Sequence, residues 1–201
     1  KYKPVKPLDS LAEEIGIPIE NLVKLDANEN LYKPHPAVSE WIRNSIDVSH
    51  IYPDPDQRLL CKGIAEYNSV PQDTIVCGAG ADDIIDLLIR VVMPPAITIC
   101  SPTFAMYNFF AKVAKVPVID IPLAREDFSV NVDDIISTYN AKPGVLIFLT
   151  SPNNPTGTKV PLDEIERLCF TCEKSVVCVD EAYIEFAAPG STAIPLMEKY
   201  P

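Results

Sequence analysis

The chain is short of glycine, histidine and positive charge, and each shortage excludes something. Seven glycines in 201 residues rule out collagen-like and glycine-rich low-complexity architecture. They also leave few positions where a left-handed backbone is free of steric cost. With two histidines, the one CxxC spacing, Cys169 to Cys172 in "CFTC", has neither a second cysteine pair nor nearby histidines to complete a zinc site. Only 17 basic residues face 28 acidic ones, a formal charge of −11. That balance argues against nucleic acid and against anionic membrane surfaces as partners. An anionic small molecule stays open, because local charge decides that case. No apolar run approaches the length of a bilayer span, and no charged-then-apolar leader opens the chain. The first residue is Lys1 rather than a methionine, as expected of a trimmed chain whose presequence is lost from view.

What is present is a core. Hydrophobic residues make up 47% of the chain, enough to bury a sizeable interior. Most of the six cysteines sit in apolar runs and read as small core residues, in a reduced, intracellular protein. The CxxC lies late in a helix pattern, where a packing role is expected. The N-terminal "KYKPVKPLDSLAEEIGIP" is proline-rich, with one short helix expected around Ser10 to Ile15 and the rest extended. "PAVSEWIRNSI" and "QRLLCKGIAEYN" carry helical spacing and flank the turn "YPDPDQ". Beyond Pro71 strand-like runs at 74–78, 97–101, 117–121, 145–150 and 176–180 alternate with helix-like runs at 82–92, 103–114, 131–140 and 161–174. This alternation predicts a mostly parallel sheet with helices on both faces. The strands are continuously apolar, as in a sheet buried on both sides. Two parts are expected: an arm and small-domain portion over 1–50, and a larger, incomplete domain over 51–201.

Open α/β sheets bind ligands beyond the carboxyl ends of their strands, so the residues following each strand carry the functional reading. In "VCGAGADDIIDLL", Gly78 and Gly80 permit a tight turn and a helix begins near Ala81. Free N–H groups of Ala81 and Asp82 there suit a phosphate; an ordinary turn with acidic capping is the alternative. The turn lacks the Walker lysine and the third glycine of a dinucleotide fingerprint. "SPTFAMY" sets Phe104 and Tyr107 at a helix start, either to stack on a planar ligand or to fill the core. "SPNNPTG" is a proline-stiffened loop that holds Asn154 as a placed donor. "VVCVDEAY" runs a buried strand into Asp180, a carboxylate that costs desolvation unless a cation or donor meets it. A protonated pyridine nitrogen would serve, and pyridoxal phosphate needs such a partner to act as an electron sink. The strand ends would then share one cofactor. Ala81 and Asp82 would hold its phosphate, Tyr107 its face, Asn154 and Tyr183 its phenolate oxygen, and Asp180 its ring nitrogen.

"SPNNPTG" with "VVCVDEAYIEF", preceded by "SPTFAMY", "GAGADDIIDLL", "YPDPD" and "KLDANEN", closely resembles the histidinol-phosphate aminotransferase family, of the fold-type I pyridoxal-phosphate-dependent transferases. The resemblance covers nearly the whole chain in order and spacing. It implies exchange of an amino group between L-histidinol phosphate and 2-oxoglutarate, as in histidine biosynthesis. It implies a homodimer in which Tyr52 reaches the partner's cofactor phosphate, and a substrate mouth lined by Asn28 and Glu29. A cytoplasmic location follows, or a plastid one if a presequence has been removed. The family's Schiff-base lysine is expected roughly ten residues beyond Pro201. The chain would therefore be the N-terminal part of an enzyme and inactive alone. Threonine-phosphate decarboxylase and aromatic aminotransferases share the fold and remain alternatives. So does a non-catalytic dimerising or ligand-binding remnant, although all the cofactor-facing side-chain types are retained.

The sequence also departs from the family pattern. Leu31 and Lys33 stand where proline and glycine are usual, and Pro95 and Ala96 where a Gly-Asp turn is usual. "AKVAKVPV" lacks a common helix-end glycine. These losses are expected to strain turns that need positive φ.

Overall fold

The computed structural model describes residues 6–201. The chain divides into two compact units, Lys1–Asp56 and Gln57–Pro201. In the first, helix α1 (Leu8–Ile15) ends on Gly16, whose φ of 75° lets its N–H close on the Ala12 carbonyl. Helix α2 (Pro36–Ser45) starts with a proline in its first turn, and the His35 ring accepts the Ala37 N–H. Proline costs nothing there, since that N–H would be unpaired in any case. Trp41 of α2 is 70% exposed.

The second unit contains helices α3 (Arg58–Asn68), α4 (Ala81–Val92), α5 (Met106–Val113), α6 (Val132–Ala141) and α7 (Leu162–Thr171). Its strands are β1 (Ile97–Ile99), β2 (Val118–Asp120), β3 (Leu146–Thr150) and β4 (Val176–Asp180). All pairings are parallel, in the order β2-β1-β3-β4. The expected parallel sheet with helices on both faces is therefore the observed architecture. Period-2 alternation divides its core. Leu146 and Phe148 of β3, with Ile97 and Ile99 of β1, pack with Ile85 and Ile89 of α4 and Tyr107 and Ala111 of α5. Val145, Ile147 and Leu149 pack on the opposite face with Ile135 and Tyr139 of α6 and Ile165 and Leu168 of α7. Each fully buried Leu, Ile or Phe contributes about 1.5–3 kcal/mol, so β3, apolar on both faces, anchors both layers.

One strand expectation fails. Residues 74–78 form no strand: Gln72–Thr74 is a 3₁₀ turn, Ile75 is extended, and 75–78 joins no ladder. Val76 is 72% exposed. β-branched composition favours extended backbone, but a strand also needs a partner ladder, and none of the described residues offers one.

The shortage of glycine has a visible consequence. Asn28, Gln57, Ser69, Met93, Lys115 and Phe128 all hold positive φ, between 46° and 59°. Lys115, in the segment noted for its missing glycine, takes φ 59° just past α5. There the Val116 N–H donates to the Ala111 carbonyl at 2.8 Å, a six-to-one closure that favours glycine at the position Lys115 occupies. The turn survives without glycine, at a steric cost of roughly 1 kcal/mol.

Candidate active site

The strand order reverses between β1 and β3: the chain passes outward from β1 to β2, then returns to the other side of β1. Ligands in open α/β sheets bind at such a switch point, beyond the carboxyl ends of the strands. The loops leaving β1, β3 and β4 here meet in one polar network. The β3–β4 register sets Thr150 against Asp180. The Tyr107 hydroxyl donates to Asp180 Oδ2 at 2.6 Å and lies 2.8 Å from Thr150 Oγ1. Its one proton goes to the carboxylate, so it accepts from Thr150. Thr150 lies 3.0 Å from Thr103 Oγ1, which donates to Asn153 Oδ1 at 3.0 Å. The Asn153 amide donates to the Pro102 carbonyl at 3.0 Å and to Thr156 Oγ1 at 2.8 Å. Asp180 Oδ1 accepts the Ala182 N–H at 3.0 Å. Both carboxylate oxygens are thus oriented from within the protein.

Tyr107 does not sit as expected. It is 0% exposed, with its ring stacked on Phe148 at 4.7 Å and 17°, so it has no surface to offer the face of a ligand. Its hydroxyl is turned to Asp180 instead. Burial, and then the negative charge of Asp180, hold its pKa well above the usual phenol range. The hydroxyl therefore stays a donor. Phe104 meets the Tyr107 ring edge-on, at 5.7 Å and 84°, and is itself only partly buried. Of the two aromatics in "SPTFAMY", Phe104 retains exposed surface. Behind Asp180, burial and the nearby carboxylate push the Cys178 thiol up to about 12, so it stays neutral beside that charge.

The other predicted residues lie on different elements. Asn154 follows Asn153 in the loop after β3 and is partly buried; Asn153 spends its amide on holding that loop, whereas Asn154 does not. Tyr183 precedes the 3₁₀ turn Ile184–Phe186, just past β4. Ala81 and Asp82 open α4, whose N-cap Gly80 has φ 87° and supplies no side-chain cap. Asp83 turns back so that Oδ2 accepts the Ala79 N–H at 3.0 Å. No hydrogen bond joins Ala81 or Asp82 to the Asp180 network. Tyr52, Asn28 and Glu29 belong to the first unit. Tyr52 is 98% exposed, Asn28 has φ 52°, and Glu29 is 3.2 Å from Lys24 Nζ. Lys24 also bonds Asp26 at 3.0 Å, and that contact holds the Asp26 carboxyl below its ordinary range.

Sequence reasoning missed Thr103, Thr150 and Asn153, which build the network, and Glu181. Glu181 Oε1 accepts the Ala193 N–H at 2.6 Å and Oε2 the Thr192 hydroxyl at 2.7 Å, tying the segment before Ile194–Glu198 to the end of β4. The available signal was a hydroxyl or carboxylate at each strand end, where a turn alone would suffice.

A parallel α/β sheet with an oriented carboxylate beside its switch point is the architecture of α/β proteins that bind ligands at their strand ends. Residues 20–201 match the model of the family described as aminotransferase class I and II, and the chain belongs to that family. Pyridoxal phosphate is the family's cofactor. Histidinol-phosphate aminotransferase of Roseiflexus castenholzii is 40% identical over 100% of this chain and 54% of its own length. Histidinol-phosphate aminotransferase 1, chloroplastic, of Arabidopsis thaliana is 41% identical over 94% of this chain and 45% of its own. Among solved structures, the histidinol-phosphate aminotransferase of Clostridium acetobutylicum is 30% identical with a TM-score of 0.72, over 81% of this chain and 48% of that one. That of Sinorhizobium meliloti, in complex with pyridoxal 5′-phosphate, superposes with a TM-score of 0.78 at 21% identity, over 94% and 51% of the two chains. The chain spans about half the length of the curated relatives it matches.

Proposed function

We propose that the protein carrying this chain transfers the amino group of L-histidinol phosphate to 2-oxoglutarate, with pyridoxal phosphate as cofactor. The observation that carries the reading is Asp180 at the end of β4. Its carboxylate is held at both oxygens yet is only partly buried, and so is set to meet a cationic N–H. The donor set fits the cofactor. Asp180 would keep the ring nitrogen protonated, Asn154 and Tyr183 would bond the phenolate oxygen, and the Ala81 and Asp82 N–H groups at the start of α4 would take the phosphate. Phe104, rather than Tyr107, would cover the ring face. Tyr52, almost fully exposed, would serve a partner subunit's phosphate in a homodimer, and Asn28 and Glu29 the substrate mouth. Bound there, the cofactor supplies an electron sink for bonds at the substrate's α-carbon. The chain's own part is to fix the charge that keeps that sink effective and to hold the ring in register with the substrate.

No helix among the described residues is long and apolar enough to cross a membrane. The test is Asp180→Ala in the protein carrying this chain, assayed with L-histidinol phosphate and 2-oxoglutarate. Turnover is expected to fall at least a hundredfold. Unchanged turnover, or release of carbon dioxide from a phosphorylated amino acid in place of transamination, would refute the assignment.

A further inference from the structure

Cys61 and Cys77 belong neither to the Asp180 network nor to either apolar layer of the sheet. Cys61 lies on α3 and is 8% exposed. Cys77 lies in the irregular stretch before Gly78, outside any ladder, and is partly exposed. Their sulfurs are 3.6 Å apart, and no disulfide joins them. By contrast, Cys100 and Cys172 are core residues, with Cys169 packed against the same core, so the CxxC of the sequence is a packing feature.

We propose that Cys61 and Cys77 form a reversible disulfide site, closed by a low-molecular-weight disulfide of the glutathione class, which tethers α3 to the segment entering the Gly78–Gly80 turn. The partly exposed Cys77 sulfur, as thiolate, attacks one sulfur of the small disulfide and expels the other as a thiolate. Cys61, losing its proton, then attacks the Cys77 sulfur and expels the second small thiolate. The two protons released by the cysteines end on the two expelled thiols. One small disulfide is reduced and one protein disulfide formed, so atoms and electrons balance.

Bonding requires an S–S distance of about 2.05 Å, so the sulfurs must approach by roughly 1.5 Å. The segment able to yield is the one carrying Cys77, because 75–78 has no ladder to break, whereas Cys61 is fixed in a helix. The turn beyond packs against the first turn of α4: a Cβ built on Gly78 would lie 2.8 Å from Asp83 Oδ2 and from Ile84 Cδ1, so movement at Cys77 meets those two side chains. Burial, then the bond to Cys61, holds the Cys77 thiol above its ordinary range. Closure is therefore slow at neutral pH and quickens as pH rises. Reversible, non-structural disulfides of this kind belong to redox regulation rather than to folding.

The test treats the protein carrying this chain with oxidised glutathione and digests it with trypsin without reduction. Cleavage after Arg58, Lys62 and Arg90 puts the two cysteines on neighbouring peptides. They are expected to travel as one linked species that dithiothreitol splits into two. Two fewer free thiols should be titratable, and Cys77→Ser should abolish both effects; it sits at a partly exposed position, so a misfolded Cys61→Ser would leave the test intact. A glutathione adduct that stays on Cys77, a link between Cys169 and Cys172 instead, or no reaction would each overturn the proposal. None of these readouts depends on cofactor or turnover, so the aminotransferase reading can fail independently.

Discussion

Replacing Tyr107 by phenylalanine removes one oxygen and little else, since the ring keeps its stacking on Phe148. Two hydrogen bonds go with that oxygen: the 2.6 Å bond to Asp180 and the 2.8 Å contact with Thr150. A bond to a charged acceptor is worth about 1.5–3 kcal/mol and a neutral one about 0.5–1.5. Thr150 keeps its contact with Thr103, and water can reach the partly buried Asp180. Both offsets pull the net loss toward about 2 kcal/mol. Urea unfolding of wild type and Tyr107→Phe should give equal slopes and midpoints separated by that energy. Turnover should fall about tenfold, because the carboxylate loses the donor that orients it. If the midpoints agree within about 0.5 kcal/mol, the hydroxyl is a bystander, and Asp180 is positioned by its own strand rather than by α5.

Three further outcomes follow from the same structure. Lys115→Gly relieves a φ of 59° and should stabilise the protein by about 0.5–1 kcal/mol, read as a raised urea midpoint. Gly78→Ala brings a methyl to within 2.8 Å of the side-chain ends of Asp83 and Ile84, which are not fully buried and can rotate away; the loss should be about 1 kcal/mol, that of the Asp83 bond to the Ala79 N–H, seen as faster amide exchange at Ala79. Cys100 and Cys178 are both pushed up to about 12 by burial. Between pH 9 and 12 the unfolded chain loses thiol protons that the folded chain keeps. Stability should therefore be intact below pH 9 and fall by about 1.4 kcal/mol per pH unit for each thiol above it; denaturant midpoints in Cys178→Ala should show a shallower alkaline slope.

What sequence could and could not reveal here follows from the range of the interactions. Helices α3, α4, α6 and α7 lie where apolar spacing put them, since the 3.6-residue period is a local property. Helix α5 begins three residues later than its pattern suggested, at Met106, because Thr103 turns its hydroxyl to Asn153 and Thr150 instead of continuing a helix. The 74–78 stretch reads as a strand by composition and is not one, because pairing is a property of two segments.

The same logic explains the exchange of roles between Phe104 and Tyr107. They are three residues apart, about one turn, so spacing alone makes them near-equivalent, and by composition a phenol, with its polar handle, is the better ligand contact. What separates them is the seating of α5 on β3. Tyr107 lands over Phe148, and its hydroxyl reaches the end of the sheet, where the β3–β4 register has already brought Thr150 level with Asp180. A buried phenol in that place must satisfy its oxygen, and the nearest strong acceptor is the carboxylate. Packing thus turns a candidate ligand contact into the support for a charged one. The acid at the end of β4 is legible in sequence because a charge ending an apolar run is locally anomalous; the residues that aim it are small and ordinary, and become visible only once three strand ends share a surface.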